Sequence, residues 1–131
     1  MALIAAVTAT VRAVKVIDLE SGPASAAIVA GQLVDYVAAT GQWVVADSAV
    51  ARAKGIAITG ANQAGITIDV LKKGIVDVGS VLDTMPYGAP VWTAATVGRM
   101  DDAVVAGLDP IGMVVPGRGT TTPDYLLRID C

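Results

Sequence analysis

Glycines separate three short apolar runs in GIAITGANQAGITIDVLKKGIVDVGS, residues 55–80. Each run has the length of a strand and is rich in isoleucine or valine. The spacings Gly55–Gly60 and Gly74–Gly79 are those of a phosphate-binding loop, but that loop continues with Lys and then Ser or Thr into a helix. These glycines bracket strands instead, and we interpret them as corners of a compact β-structure.

Similar short runs, separated by turn residues, continue on both sides of this stretch, from Ala27 onward. Gly31-Gln32 indicates a bend, Ala39–Gly41 a hairpin turn, and Lys72–Gly74 a second turn, since glycine supplies a positive φ. The spacing predicts an all-β fold, a β-sandwich or barrel of roughly eight short antiparallel strands.

One segment departs from the strand pattern. ADSAVARAK, residues 46–54, combines an Asp47-Ser48 opening with four alanines, which are good helix formers. We expect one short helix from Asp47 to Lys54, capped by Asp47 or Ser48.

The first 18 residues alternate in part between apolar and polar side chains, which favours an extended strand. Ser21-Gly22-Pro23 follows and is typical of a joint. We therefore divide the chain into an extended N-terminal arm and hinge, residues 1–23, and a β-rich domain, residues 24–131. The arm is expected to add as a strand to a neighbouring subunit or a partner; the alternative is that it is the first strand of its own sheet.

The composition is unusually apolar, with 54% hydrophobic residues in 131, against ~45–50% with glycine counted in an average domain. The longest charge-free stretch, Thr84 to Gly98, is interrupted by Pro86 and Pro90 and does not suit a membrane span. We expect no targeting segment and no membrane association. The surplus apolar surface is then expected to be buried against other chains.

The charged and reactive residues exclude several functions. The net charge is -3 and the nine Lys and Arg residues are scattered, which argues against nucleic acid. With no histidine and a single cysteine, Cys131, the usual catalytic and metal sites cannot be assembled, so we expect no enzyme activity and no cofactor. Asp101, Asp102 and Asp109 are interpreted as solvated loop residues. Lys73 could be the modified lysine of a lipoyl or biotinyl carrier, but a solvated turn is the simpler interpretation.

The ordered series from the Gly-Gln bend through GQWVV, ADSAVARAKGIA and GIVDVG to PYGAPVWTAATVG and DPIGMVVPG resembles the capsid decoration, or cement, proteins of tailed bacteriophages. The resemblance covers roughly residues 24–130 and lies in the order of the elements. It implies a non-enzymatic protein that binds the outer surface of the shell formed by the major capsid protein and stabilises the head. Such proteins are made in the host cytoplasm and end in the virion. A head-fibre or adhesin base is the alternative among structural proteins.

The resemblance also implies a homo-oligomer, with a trimer favoured, and no cofactor. No short binding motif accompanies it, so the interface residues are inferred from their apolar character and position. The predicted interface residues are Leu3, Ile4, Val7, Val11, Ile17, Tyr87 and Trp92.

Overall fold

The computed structural model describes Ile4, Val7 and residues 11–48, 52–78, 81–82, 85–94, 96, 98–103, 107–116 and 125–131. These residues form an all-β structure and contain no helix, and hence none with the length and apolarity that a membrane crossing requires. The strands are β1 (Arg12–Pro23), β2 (Leu33–Val37), β3 (Gln42–Val45), β4 (Gly55–Ala57), β5 (Thr67–Asp77), β6 (Pro90–Thr93), β7 (Met100–Asp101), β8 (Gly112–Pro116) and β9 (Tyr125–Asp130).

All nine strands pair antiparallel. Eight of them follow the order β3-β2-β4-β5-β9-β8-β6-β7, and the sheet curls into a half-barrel. β1 pairs with β5 outside this order. Beyond β1, a bridge between Ala24 and Trp43 brings the chain back to β3. The expected antiparallel β-fold is therefore confirmed in its class.

β5 is the central strand of the sheet. One of its edges pairs with β1 along nearly its whole length, and the other pairs first with β4 and then with β9. Val70 pairs with Glu20 of β1 on one edge and with Ala57 of β4 on the other. Val76 pairs with Ala13 of β1 and with Leu127 of β9. A strand in this position must be apolar on both faces, as the sequence of residues 67–77 largely is.

Two apolar clusters lie on opposite faces of the β2-β4-β5 wall. Successive residues of a strand point to opposite faces, so Leu33 and Ile56 enter one cluster while their neighbours Val34 and Ala57 enter the other. The smaller cluster is enclosed by the first half of the chain and contains Ala24, Ile28, Val34, Trp43, Ala57, Ala61, Ile68 and Val70. The larger cluster lies between the wall and strands β6 to β9.

Two of the predicted turns are confirmed. The hairpin between β2 and β3 is closed by the Gly41 amide, which donates to the carbonyl of Val37 at 2.8 Å, with Gly41 at φ +69°. Gly31 turns the chain into β2 with φ +94°.

None of the described residues of the predicted helix from Asp47 to Lys54 is helical. Residues 49–51 lie outside the described part, and the flanking residues are irregular rather than helical. The amides of Ala46 and Lys54 donate to the carbonyls of Leu33 and Val34 in β2, so they are not available to a helix. The alanines serve a different purpose: Ala46 and Ala53 are buried in the larger cluster, where a small side chain permits close packing.

The predicted turn at Lys72–Gly74 is also wrong, because β5 runs through it without reversing. Gly74 has φ +144°, and a Cβ there would lie 2.1 Å from the carbonyl oxygen of Lys15 in β1. The glycine is needed for a close approach of two strands, not for a turn.

The predicted hinge at Ser21–Pro23 lies inside β1, where these residues pair with Asp69, Ile68 and Thr67 of β5. Proline is tolerated because β1 is an edge strand, where its missing N–H breaks no ladder. In this chain residues 12–23 therefore correspond to the alternative, a strand of the chain's own sheet. Addition of the arm to another subunit stays a prediction.

Candidate interaction surface

β1 is the most exposed strand of the described chain. Residues 12 and 14–21 are all exposed, whereas β4, for comparison, is buried at every position. The exposed side chains include four large apolar ones: Val14, Val16, Ile17 and Leu19, with 38, 52, 64 and 45% of their surface accessible. We call these four residues the β1 strip.

The irregular register of β1 accounts for this exposure. The pairing with β5 shifts at three places, between Ala13 and Lys15, between Val16 and Asp18, and between Asp18 and Leu19. At the first two shifts β1 has one residue more than β5, so Val14 and Ile17 are bulged. A bulge changes which face the following side chains point to, and the strip therefore presents apolar groups on both faces of a strand whose ladder partner among the described residues is β5 alone.

Polar contacts hold β1 to β5 and leave the strip uncovered. Arg12 pairs with Asp77 at 3.4 Å, and Glu20 with Lys72 at 3.3 Å. Ser21 donates its hydroxyl to the carboxylate of Asp69 at 2.6 Å. These contacts lie near the two ends of the strand, and the apolar residues lie between them.

The residues that precede β1 are anchored in the same chain. The Ile4 amide donates to the carbonyl of Met100 at 3.1 Å, and the guanidinium of Arg99 donates to the carbonyl of Ile4 at 2.7 Å. The side chains of Ile4 and Val11 are buried in the larger cluster, and Val7 packs against it.

The predicted interface residues are thus placed in different environments. Ile17 and Tyr87 are exposed, at 64 and 49%. Ile4, Val7 and Val11 pack in the chain's own core, as stated above, and Trp92 is buried as well. Leu3 lies outside the described residues. Of the predicted interface residues that the structure describes, Ile17 and Tyr87 are the exposed ones. Tyr87 also stacks on Tyr125, with ring centroids 5.0 Å apart.

Sequence reasoning missed Val14, Val16 and Leu19. The interface residues were chosen for their apolar character and position, and Val14 and Val16 break the alternation that identified the first 18 residues as a strand. Apolar residues on both faces of a segment with charges at each end were the available signal. Apolar residues on both faces indicate either a strand that is buried on both faces or a strand that is buried only when a partner binds.

The reactive side chains are dispersed. Among the described residues, no group of three or more Cys, Asp and Glu side chains is placed to hold a metal ion. Lys73 lies within β5 and pairs with Asp130 at 3.7 Å, so it is not at the tip of a hairpin as carrier domains require. Burial raises the pKa of the Cys131 thiol from 9.0 to about 11, against a lowering influence of Arg52. A thiol with so high a pKa is a poor nucleophile at neutral pH.

Comparisons of the chain with known protein families, with characterised proteins and with solved structures find no match.

Proposed function

We propose that the chain is a non-enzymatic decoration protein of a tailed-bacteriophage capsid, which binds the outer surface of the major capsid protein shell and stabilises the head. The observation that carries the proposal is the β1 strip, four large apolar side chains exposed on one edge strand. The order of sequence elements supplies the family resemblance, and the strip supplies a surface that needs a partner.

An exposed apolar edge strand is a liability for a free protein, because it can accept strands from any chain. Burying the accessible part of the strip would contribute roughly 1 kcal/mol per side chain, since about half of each is already covered. The gain per copy is modest, but a shell repeats it at every binding position.

The protein is expected to act as a homo-oligomer, with a trimer favoured, on the outside of the virion. Ile17 and Tyr87 are the predicted interface residues that remain exposed and are therefore its candidate contacts. Sedimentation velocity, free and with shells, measures this directly. A monomer at micromolar concentration in both conditions would contradict the oligomer.

Binding is tested by co-sedimentation with expanded, DNA-free shells of the major capsid protein encoded in the same genome. The wild type is expected to pellet with the shells up to a saturating ratio. Ile17→Asp is expected to weaken binding by about tenfold or more, because a charge replaces a buried apolar contact.

Val29→Asp is the matched control. Val29 is exposed to 60%, close to the 64% of Ile17, but lies in the connection between β1 and β2. The proposal expects Val29→Asp to bind as the wild type does. Equal losses in the two variants would show a general effect of charge, and a wild type that never pellets with shells would remove the proposal.

A further inference from the structure

A groove runs over the outer face of β5, β9 and β8, next to the β1 strip. Its volume is about 590 Å³, within the ~300–1,000 Å³ of typical ligand sites. Its lining includes Lys15 and Ile17 of β1, Lys73 and Ile75 of β5, Val115 of β8 and Arg128 of β9.

The alternation of β9 and the bulges of β1 together produce this groove. Along β9, Leu127 and Ile129 face the larger cluster, so Arg128 and Asp130 face outward. The outward Arg128 lies opposite Ile75 in β5 and Met113 in β8. Arg128 and Met113 are exposed and Ile75 is half-buried, and bulged Val14 and Ile17 form the wall on the β1 side.

The charges of the groove are opposite in sign to those of the protein. Three cationic side chains and one carboxylate line it, whereas the chain as a whole has a net charge of -3. Lys73 is paired with Asp130. Lys15 and Arg128 form neither an ion pair nor a side-chain hydrogen bond with any described residue. Two unpaired cations therefore border an apolar floor.

We propose that this groove binds an extended segment of a partner protein in which apolar and acidic residues alternate. Its apolar side chains would cover Ile75 and Val115, which are half-buried, and its carboxylates would pair with Lys15 and Arg128. Charge-assisted contacts of this kind are the stronger polar contacts of an interface, and the sign of the groove selects against basic segments. The proposal does not depend on the capsid assignment.

The shape of the groove favours a chain segment. β9 has six residues and spans about 20 Å, and a second open depression continues past Arg128 along Met113, Pro110 and Arg52. An extended segment of about six to ten residues matches that length. Its side chains alternate toward the floor and away from it, and the long side chains of Lys15 and Arg128 can extend past the floor to meet the carboxylates.

Fluorescence anisotropy with the purified full chain tests the proposal. The probe is a labelled peptide of about ten residues in which Val and Glu alternate, and the matched peptide replaces Glu by Lys. The acidic peptide is expected to bind, and to bind more weakly as the ionic strength rises from ~0.05 M to ~0.5 M. The basic peptide is expected to bind at least about tenfold more weakly.

Arg128→Gln and Lys15→Gln are each expected to weaken the acidic peptide by about tenfold, because a charge-assisted contact is lost. Lys54→Gln is the matched control, since Lys54 is also half exposed but pairs with Asp35 away from the groove. Urea denaturation of each variant checks that all of them remain folded.

Several results would overturn the proposal. These are equal binding of the two peptides, unchanged affinity in Arg128→Gln and Lys15→Gln, and displacement of the peptide by a single-stranded oligonucleotide. If peptide binding falls as protein concentration rises and the same variants abolish self-association, the occupant is a second copy of this chain and the partner segment is excluded. Capsid binding is not measured in this assay, so its outcome is separate from that of the proposed function.

Discussion

β5 and β1 are neighbouring strands of 11 and 12 residues that pair with each other along most of their length, yet their surroundings are opposite. β5 has a strand on each edge and a core cluster on each face over much of its length. β1 has β5 on one edge and little on its faces. The pairing itself is the same hydrogen-bonded ladder, so the comparison separates what backbone pairing contributes from what side-chain burial contributes.

The difference shows how this chain uses its high apolar content. Part of it fills the two clusters on either side of the wall, and part remains on the surface along β1. Four of the eight exposed large hydrophobic side chains of the described residues lie on this one strand. Such concentration is typical of an interaction surface.

The largest effect is expected from two leucines that face each other in the register. Leu71 of β5 is fully buried, and its partner Leu19 of β1 is 45% exposed. Leu71→Ala should lower the free energy of unfolding by about 2–5 kcal/mol, because it leaves a cavity in the larger cluster. Leu19→Ala should lower it by less than about 1 kcal/mol. Urea denaturation of the two variants measures both, and similar losses would mean that β1 is as well packed as β5.

The close approach of the two strands is tested next, with Gly74→Ala. A methyl group at Gly74 would collide with the carbonyl oxygen of Lys15, while Gly65, also at positive φ (+89°), has open space around the same position. Gly74→Ala should therefore destabilise by about 1–3 kcal/mol more than Gly65→Ala, which measures the backbone strain alone. Hydrogen exchange should show the excess loss in β1. Equal losses in the two variants would place the cost in the backbone conformation and not in the contact between strands.

The ion pair at the start of β1 should contribute less. Its two partners repeat the contrast between the strands, since the Arg12 side chain is 61% exposed and that of Asp77 only 12%. An exposed partner is well solvated, so Arg12→Gln should change the free energy of unfolding by no more than about 1 kcal/mol. Thermal or urea denaturation at low salt gives the value. A loss above about 2 kcal/mol would show that Arg12 anchors the strand more strongly than its exposure indicates.

The smallest effect on stability at neutral pH is expected at Cys131, the residue that follows β9. Burial raises its pKa from 9.0 to about 11 in the folded chain. The protonated thiol is favoured in the folded state, so this stabilisation is complete below pH 9 and is lost as pH rises toward 11. Wild type should lose more stability than Cys131→Ala over that interval. Parallel pH profiles of the two proteins would indicate that the thiol is solvated.

The glycine corners of the sequence were correctly recognised where they end a strand, as at Gly41, because a tight hairpin needs local chemistry alone. The same reasoning failed at Gly74, where a glycine is needed because the backbone of Lys15, 59 residues earlier in the chain, lies too close for a side chain. Local sequence does not distinguish a glycine that turns the chain from one that admits a second backbone.

The error at residues 47–54 has a related cause. Alanine favours a helix in isolation, but Ala46 and Ala53 are placed by hydrogen bonds to Leu33 and Thr93 and by the limited space of the larger cluster. Tertiary contacts outweighed a propensity worth less than about 1 kcal/mol per residue.

Of the candidate surface, Ile17 and Tyr87 were found from the sequence and remain exposed. Val14, Val16 and Leu19 were not found, because the bulges that turn them outward depend on the register with β5. Ile4, Val11 and Trp92 were chosen as apolar, but which apolar residues the core takes is decided by how the strands stack.

Period, turn residues and composition are local properties, and they are sufficient to predict an antiparallel all-β chain that is more apolar than one small core requires. Strand order and packing, which are not local, cover the first half of β5 on both faces, leave β1 exposed and bring Lys15 and Arg128 to the border of one groove. Strand order and register bring residues more than 100 positions apart to one surface, and no local pattern encodes a register that three bulges shift.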